Sequence, residues 1–144
     1  MIGLLITGHG HFATGLGSSL KLITGNTEHI EYVDFEEDHS TEILADNLNK
    51  ALDNLKDCDG VLVLSDPAGG SPFKTAVECK YARPDQAIEV IAGSNLPMLI
   101  EGSMSMSIYD SPLDMAEALI PTGKDYIIRF EMTEHEDDTE EDGI

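Results

Sequence analysis

Short apolar segments alternate with segments of helical periodicity along most of this sequence. Five apolar runs predict strands, and they lie at residues 2–7, 30–34, 60–65, 87–91 and 126–130. Between these runs, apolar residues recur every three or four positions, which predicts amphipathic helices. Gly25 is expected to end the first helix and Ser40 to cap the second. Ser71, followed by Pro72, is expected to cap the third.

Strands that alternate with helices form βαβ units, so the pattern predicts an α/β fold. The expected form is a single doubly wound domain with a mainly parallel five-stranded sheet. The flavodoxin-like strand order 2-1-3-4-5 suits five strands, and in such sheets chemistry gathers at the carboxyl ends of the strands, beside the point where the order reverses. This rule selects two loops, residues 7–12 after strand 1 and residues 65–72 after strand 3.

The loop after strand 1 reads Thr7-Gly8-His9-Gly10-His11. Its glycines give backbone freedom and leave the imidazole of His9 unshielded, so His9 is the candidate nucleophile. His11 is expected to be a surface residue at the start of the following helix. A metal site on His9 and His11 is not predicted, because no further ligands stand at a plausible spacing. No cofactor is predicted either.

The loop after strand 3 places Asp66 at the strand end and Gly70 and Ser71 before a helix. The free N–H groups at a helix N-terminus form an anion site. An aspartate bonded to one imidazole nitrogen fixes the tautomer, so the other nitrogen of His9 is directed to accept a phosphoryl group. We therefore predict His9 and Asp66 as catalytic residues and Gly10, Gly70 and Ser71 as phosphate-binding residues. Two plainer roles remain open, Asp66 as a turn residue and Ser71 as a helix cap.

A second interpretation of the first loop is a dinucleotide site. The stretch from Gly8 to Ala13 fits G-x-G-x-x-[G/A], and Asp34 ends strand 2 where a ribose-binding acid would lie. Against it, the chain is short for a second, substrate-binding domain, and His9 would crowd the pyrophosphate. A small dinucleotide-binding module is therefore the alternative function. Residues 70–75 lack the glycine that precedes the lysine of a P-loop, so ATP hydrolysis is not predicted.

Composition and charge narrow the function further. The 144 residues suit one domain, and the net charge of −20 argues against nucleic acid and anionic membranes as partners. Residues 131–144 hold eight acidic and no basic residues, which predicts a disordered tail after a domain of residues 1–130. Cys58 and Cys79 form no CxxC pair, and the first apolar run is too short for a signal peptide or membrane span. A cytoplasmic location is expected.

Residues 1 to about 130 resemble the IIA proteins of the mannose family of the bacterial sugar phosphotransferase system. Three blocks carry the resemblance in the family's order and spacing: LLITGHG at 4–10, DPAGGSPF at 66–73 and IAGSNLPML at 91–99. The resemblance implies that His9 accepts a phosphoryl group from the carrier HPr and passes it to a IIB component. It also implies that Asp66 hydrogen-bonds His9, and that Ser71 is the family's serine beside them.

The same resemblance implies the wider setting. The IIB component phosphorylates the sugar at a membrane permease, IIC/IID, and is expected to be a separate chain because no IIB segment follows. Many members are homodimers, in which residues 126–130 would be an antiparallel strand that crosses to the partner's sheet. Residues 7–16 look most like the N-acetylgalactosamine or amino-sugar branch, with gluconate systems similar. A phosphocarrier for dihydroxyacetone phosphorylation is the other alternative, although its histidine loop is usually rich in serine.

Overall fold

The computed structural model describes residues 1–26 and 28–132. Its strands are β1 (Ile2–His9), β2 (Ile30–Phe35), β3 (Gly60–Ser65) and β4 (Ile88–Ile91). Its helices are α1 (Phe12–Ile23), α2 (Thr41–Asn54), α3 (Ser71–Ala82), α4 (Leu96–Met104) and α5 (Pro112–Asp125). The order of elements therefore follows the predicted alternation of strands and helices.

The four strands form one parallel sheet with the order β2-β1-β3-β4. Both faces of the sheet are covered, which explains why β1 and β3 are apolar almost throughout. One core cluster, with Ile6 and Leu64 among its members, lies under α1, α4 and α5. The other, with Leu5 and Val63, lies under α2 and α3. The predicted α/β fold and the order of the first four strands are confirmed.

The predicted fifth strand is absent from the described residues. α5 continues to Asp125, and residues 127–132 then run on without regular secondary structure. Their apolar side chains lie open to solvent, with Ile128 83% and Phe130 77% exposed. Alternating apolar residues form a strand only where a sheet edge supplies hydrogen bonds. Among the described residues this segment pairs with no strand, so the sheet of the single chain has four strands, and a fifth strand supplied across a dimer stays a prediction.

The helix ends follow local backbone chemistry. Gly25, with φ +75°, follows α1, and the Ser40 hydroxyl accepts a hydrogen bond from the Ile43 N–H at 3.1 Å, as expected. The cap of α3 differs from the prediction, because Gly70 holds the N-cap position and Ser71 is the first helical residue. The reason is a tight turn in which Gly69 has φ +86°, so the chain enters the helix one residue early.

No helix within residues 1–26 and 28–132 is both long enough and apolar enough to span a bilayer. The acidic tail predicted for residues 131–144 lies outside the described residues, apart from its first two positions.

Candidate functional site: a histidine and a buried aspartate at the carboxyl end of the sheet

His9 stands where β1 ends. The strand runs two residues beyond its predicted end, so that His9 pairs in register with Phe35, the last residue of β2. Gly10 then turns the chain with φ +59°, a conformation that favours glycine, and its N–H donates to the Phe35 carbonyl at 2.7 Å. The imidazole is thereby held on regular strand backbone rather than on a loose loop. The bond to Phe35 also means that the Gly10 N–H is not free for phosphate.

The structure brings His9 and Asp66 together. Asp66 follows β3, which lies beside β1 in the sheet. The main-chain N–H of His9 donates to Asp66 Oδ2 at 2.8 Å, and the ring Nδ1 lies 2.6 Å from the same oxygen. Since a carboxylate only accepts hydrogen bonds, this contact assigns the ring proton to Nδ1 and leaves the lone pair of Nε2 available.

The two partners differ sharply in exposure. The side chain of Asp66 is 10% exposed, whereas that of His9 is 51% exposed. The second carboxylate oxygen of Asp66, Oδ1, is buried and has no hydrogen-bond partner among the described residues. A buried carboxylate that lacks other donors interacts more strongly with the charge it does face. The pair therefore combines a buried, poorly solvated carboxylate on Asp66 with an imidazole on His9 that solvent or a partner protein can reach.

The N-terminus of α3 lies against the imidazole. A Cβ built on Gly70 would stand 2.8 Å from His9 Cε1, so only glycine permits this approach. At Ser71 the hydroxyl makes no hydrogen bond to any described residue, and first-turn N–H groups have no partner inside a helix. These groups and the helix dipole create a site for an anion beside the ring. Gly70 lies against the His9 ring and Ser71 begins the helix beside it, and their role in binding phosphate stays a prediction.

His11 does not join His9. Its Nδ1 lies 3.4 Å from Asp34 Oδ2 and its Nε2 4.0 Å from Glu36 Oε1. One ligand atom from each of these three residues lies within 4.8 Å of the others. The sequence analysis considered only a metal pair of His9 and His11. The group at His11 does not include His9, and its two carboxylates come from the end of β2 and the residue that follows it.

Asp34 has a structural role in this region. Its two oxygens accept hydrogen bonds from the Thr14 N–H at 3.0 Å and from the Thr14 hydroxyl at 2.6 Å. The carboxylate thereby caps the first turn of α1. A ribose-binding acid needs free oxygens, so these bonds argue against the dinucleotide interpretation.

Phe35 is a site residue that the sequence analysis missed. Its ring centroid lies 5.9 Å from that of His9, and the two ring planes cross at 63°. No motif links two residues 26 positions apart. The only available signal was the predicted strand order, in which strand 2 lies beside strand 1.

A family model and two similar proteins all relate this chain to IIA components of the phosphotransferase system. Residues 3–122 match the family model EIIA-man, described as "PTS system fructose IIA component". The mannose-specific EIIAB component of Escherichia coli (strain K12) is 32% identical over 124 residues, which cover 86% of this chain but 38% of that protein. The fructose-specific EIIA component of Bacillus subtilis (strain 168) is 33% identical over 101 residues, 70% of this chain and 68% of that protein.

Solved structures agree with the observed fold. Phosphotransferase system component EIIA from Streptococcus agalactiae superposes with a TM-score of 0.83 at 30% identity, covering 90% of this chain and 97% of that one. The mannose/sorbose-specific IIA subunit from Enterococcus faecalis gives a TM-score of 0.81 at 24% identity, covering 92% and 96%. At that lower identity, the second likeness concerns the fold alone.

Proposed function

Because the chain belongs to the EIIA-man family of phosphotransferase-system IIA components, we propose that it is a phosphoryl carrier of a bacterial sugar phosphotransferase system. In this role His9 accepts a phosphoryl group from phospho-HPr in the cytoplasm and delivers it to a IIB component. The observation that carries the proposal is the His9–Asp66 pair, in which Nδ1 faces a buried carboxylate and Nε2 makes no hydrogen bond to any described residue.

The first transfer step forms one bond and breaks one. The lone pair of His9 Nε2 attacks phosphorus, and the bond between phosphorus and the donor nitrogen breaks, with its electron pair returning to the donor. Positive charge grows on the His9 ring during this exchange, and the carboxylate of Asp66 offsets it at 2.6 Å from Nδ1. Delivery to IIB is the same exchange in reverse, with the acceptor as the attacking group.

The phosphoryl oxygens need stabilisation as well as the ring. Phosphoryl transfer depends chiefly on positioning and on electrostatic stabilisation of the equatorial oxygens. The first turn of α3, which begins next to Gly70, supplies N–H groups and the Ser71 hydroxyl for this purpose. We assign Gly70 the role of admitting the imidazole to this helix end, because any larger residue would collide with Cε1.

Phosphorylation in a purified system tests this function. Phosphoenolpyruvate, enzyme I and HPr should add one phosphoryl group, and the adduct should be labile in acid and stable in base, as a phosphoramidate is. His9→Ala should abolish labelling, whereas His11→Ala, which removes the other histidine of the loop, should not. Label that persists in the His9→Ala protein would refute the assignment, and a wild-type protein that takes no label would refute the function.

We further propose that the chain forms a homodimer through its C-terminal segment. Tyr126, Ile128 and Phe130 alternate along it and are 66%, 83% and 77% exposed. Strand β4 ends the sheet with an unpaired edge among the described residues. A partner's segment laid on that edge would pair both sets of backbone groups and cover these side chains. Sedimentation should show a dimer at micromolar concentration and a monomer after truncation at Asp125; a monomeric wild-type protein would remove the claim.

A further inference from the structure

The orientation of the His9 ring depends on more than its bond to Asp66. The single hydrogen bond at Nδ1 does not by itself fix the imidazole, because the ring can still turn slightly about the Cα–Cβ and Cβ–Cγ bonds. Rotation about Cα–Cβ moves Nε2 through a larger arc than Nδ1, because Nε2 lies farther from that bond. In-line transfer tolerates little displacement, because a misplacement of about 1 Å costs roughly 100-fold in rate.

Phe35 lies in a position to limit this motion. Its backbone is held twice against the histidine strand, by the β1–β2 register with His9 and by the bond from the Gly10 N–H to its carbonyl. Its side chain is partly buried and packs against the core cluster under α2 and α3. This packing restricts the motion of the phenyl ring.

The contact itself has a favourable geometry. The two rings meet edge to face, with centroids 5.9 Å apart and planes at 63°, within the range preferred by aromatic pairs. The contact therefore favours one orientation of the His9 ring.

We propose that Phe35 is a positioning residue for phosphoryl transfer: together with Gly70 on the α3 side and Asp66 at Nδ1, it holds the His9 ring so that Nε2 faces the incoming phosphorus. The inference rests on the proposed function, because it concerns the rate of a transfer that His9 must first perform. It assigns Phe35 no contact with the phosphoryl group.

Three variants separate positioning from simple packing. Phe35→Leu keeps an apolar side chain of similar bulk but removes the ring, and Phe35→Tyr restores the ring. Tyr32→Leu is the matched control, since it removes an aromatic ring from the same strand where it packs on Gly17 of α1 instead of on His9. Phe35→Met replaces the leucine variant in the assay if that variant melts below the assay temperature.

The measurements are rapid-quench transfer from phospho-HPr and NMR of the His9 ring nitrogens in the full chain. We expect Phe35→Leu to lower kcat about 10-fold with KM within twofold of wild type, and to broaden or double the His9 ring signals. Phe35→Tyr should stay within about threefold of wild type in kcat, and Tyr32→Leu should alter stability without altering the ring signals.

Failure of this inference is distinct from failure of the function. If wild type accepts phosphoryl groups but folded Phe35→Leu matches its kcat and ring signals, Phe35 does not position His9. The same conclusion follows if Tyr32→Leu lowers kcat as much as Phe35→Leu does. If wild type itself takes up no phosphoryl group, both proposals fall.

Discussion

The two ends of the parallel sheet differ in how completely their charged groups are hydrogen-bonded. At the amino end, each nitrogen of the Arg83 guanidinium donates a hydrogen bond: Nε to Gln86 at 2.8 Å, Nη1 to Asn49 at 2.9 Å and Nη2 to Asp53. At the carboxyl end, one oxygen of Asp66 faces two nitrogens of His9, and the other oxygen is buried without a partner among the described residues.

This difference distinguishes groups that stabilise the fold from groups that are available to react. The amino end joins α2, the end of α3 and the approach to β4 with polar groups that satisfy one another. A satisfied network of this kind contributes stability and leaves nothing to react. A buried carboxylate with an unpaired oxygen costs stability, and such exceptions point to functional sites. Variants at the two ends should therefore affect different measurements.

Among substitutions that leave His9 in place, the largest effect is expected from Asp66→Asn. The amide keeps the shape but loses the charge that offsets the developing imidazolium, and it favours the wrong ring tautomer. The same exchange in a serine-protease triad costs about 10⁴ in rate, and here we expect roughly 10- to 1000-fold, because no proton relay at Nε2 is needed. Rapid-quench transfer from phospho-HPr, run beside thermal melts, measures it.

Asp53→Asn is the matched control, since it makes the same change at the other end of the sheet, on a carboxylate that is 67% exposed. It should transfer at the wild-type rate. A folded Asp66→Asn protein that also does so would break the comparison and return Asp66 to the role of a turn residue.

The next largest effect should appear in stability alone. Arg83→Met keeps the aliphatic stem but removes three donors, so Asn49, Asp53 and Gln86 lose their common partner. Hydrogen bonds to charged groups suggest a loss of about 1–3 kcal/mol in the free energy of unfolding. Urea titration checks the loss, and transfer per folded molecule should not change. Lys56→Met, at an exposed lysine nearby, serves as the control for removing a positive charge.

Gly70→Ala tests whether phosphoryl transfer needs the close approach of α3 to the His9 ring. The new methyl group would begin 2.8 Å from His9 Cε1, so the ring must shift. We expect transfer to fall about 10-fold, since small displacements of reacting atoms are costly. Gly15→Ala provides the control, because nothing lies within 4 Å of a Cβ at that helical position. Equal transfer by the two alanine variants would show that the close approach at Gly70 is not needed.

The smallest effect is expected at Thr7, whose buried hydroxyl has no partner among the described residues. Valine has nearly the same shape and no polar atom to leave unsatisfied. Thr7→Val should therefore be neutral or stabilising by up to about 1 kcal/mol, with transfer within twofold of wild type. A clear loss of stability in urea titration would indicate that the hydroxyl finds a donor or acceptor in solution.

Most of the fold could be predicted from the local pattern of apolar and polar residues. The first four strands were predicted to within two residues at each end. The central strands β1 and β3 are buried on both faces and are therefore short apolar runs, while β2 and β4 at the edges keep enough apolar residues to be recognised. The segment at 126–130 forms no strand among the described residues. Its alternation describes side chains, whereas a strand also needs an edge to bond, and no pattern in one chain states where that edge lies.

Some residues of the candidate site could also be predicted from the sequence, and others could not. His9 and Asp66 were predicted together because parallel strands 1 and 3 end side by side, a relation that strand order alone provides. Phe35 and the carboxylates around His11 were missed, because they depend on how residues of strand 2 and its loop turn toward strand 1. The cap of α3 was misplaced by one residue, since the turn at Gly69 is a matter of backbone angles rather than of side-chain preference.

One bond at the site has a consequence for redesign. Asp66 accepts from the main-chain N–H of residue 9 as well as from its ring, and the main-chain bond survives any substitution that keeps the strand. The position of the Asp66 carboxylate therefore does not depend on the histidine side chain alone. Removing the imidazole would leave a space beside this carboxylate and the N-terminus of α3. A free small-molecule imidazole, or an engineered side chain of similar shape, would meet an already oriented acid there.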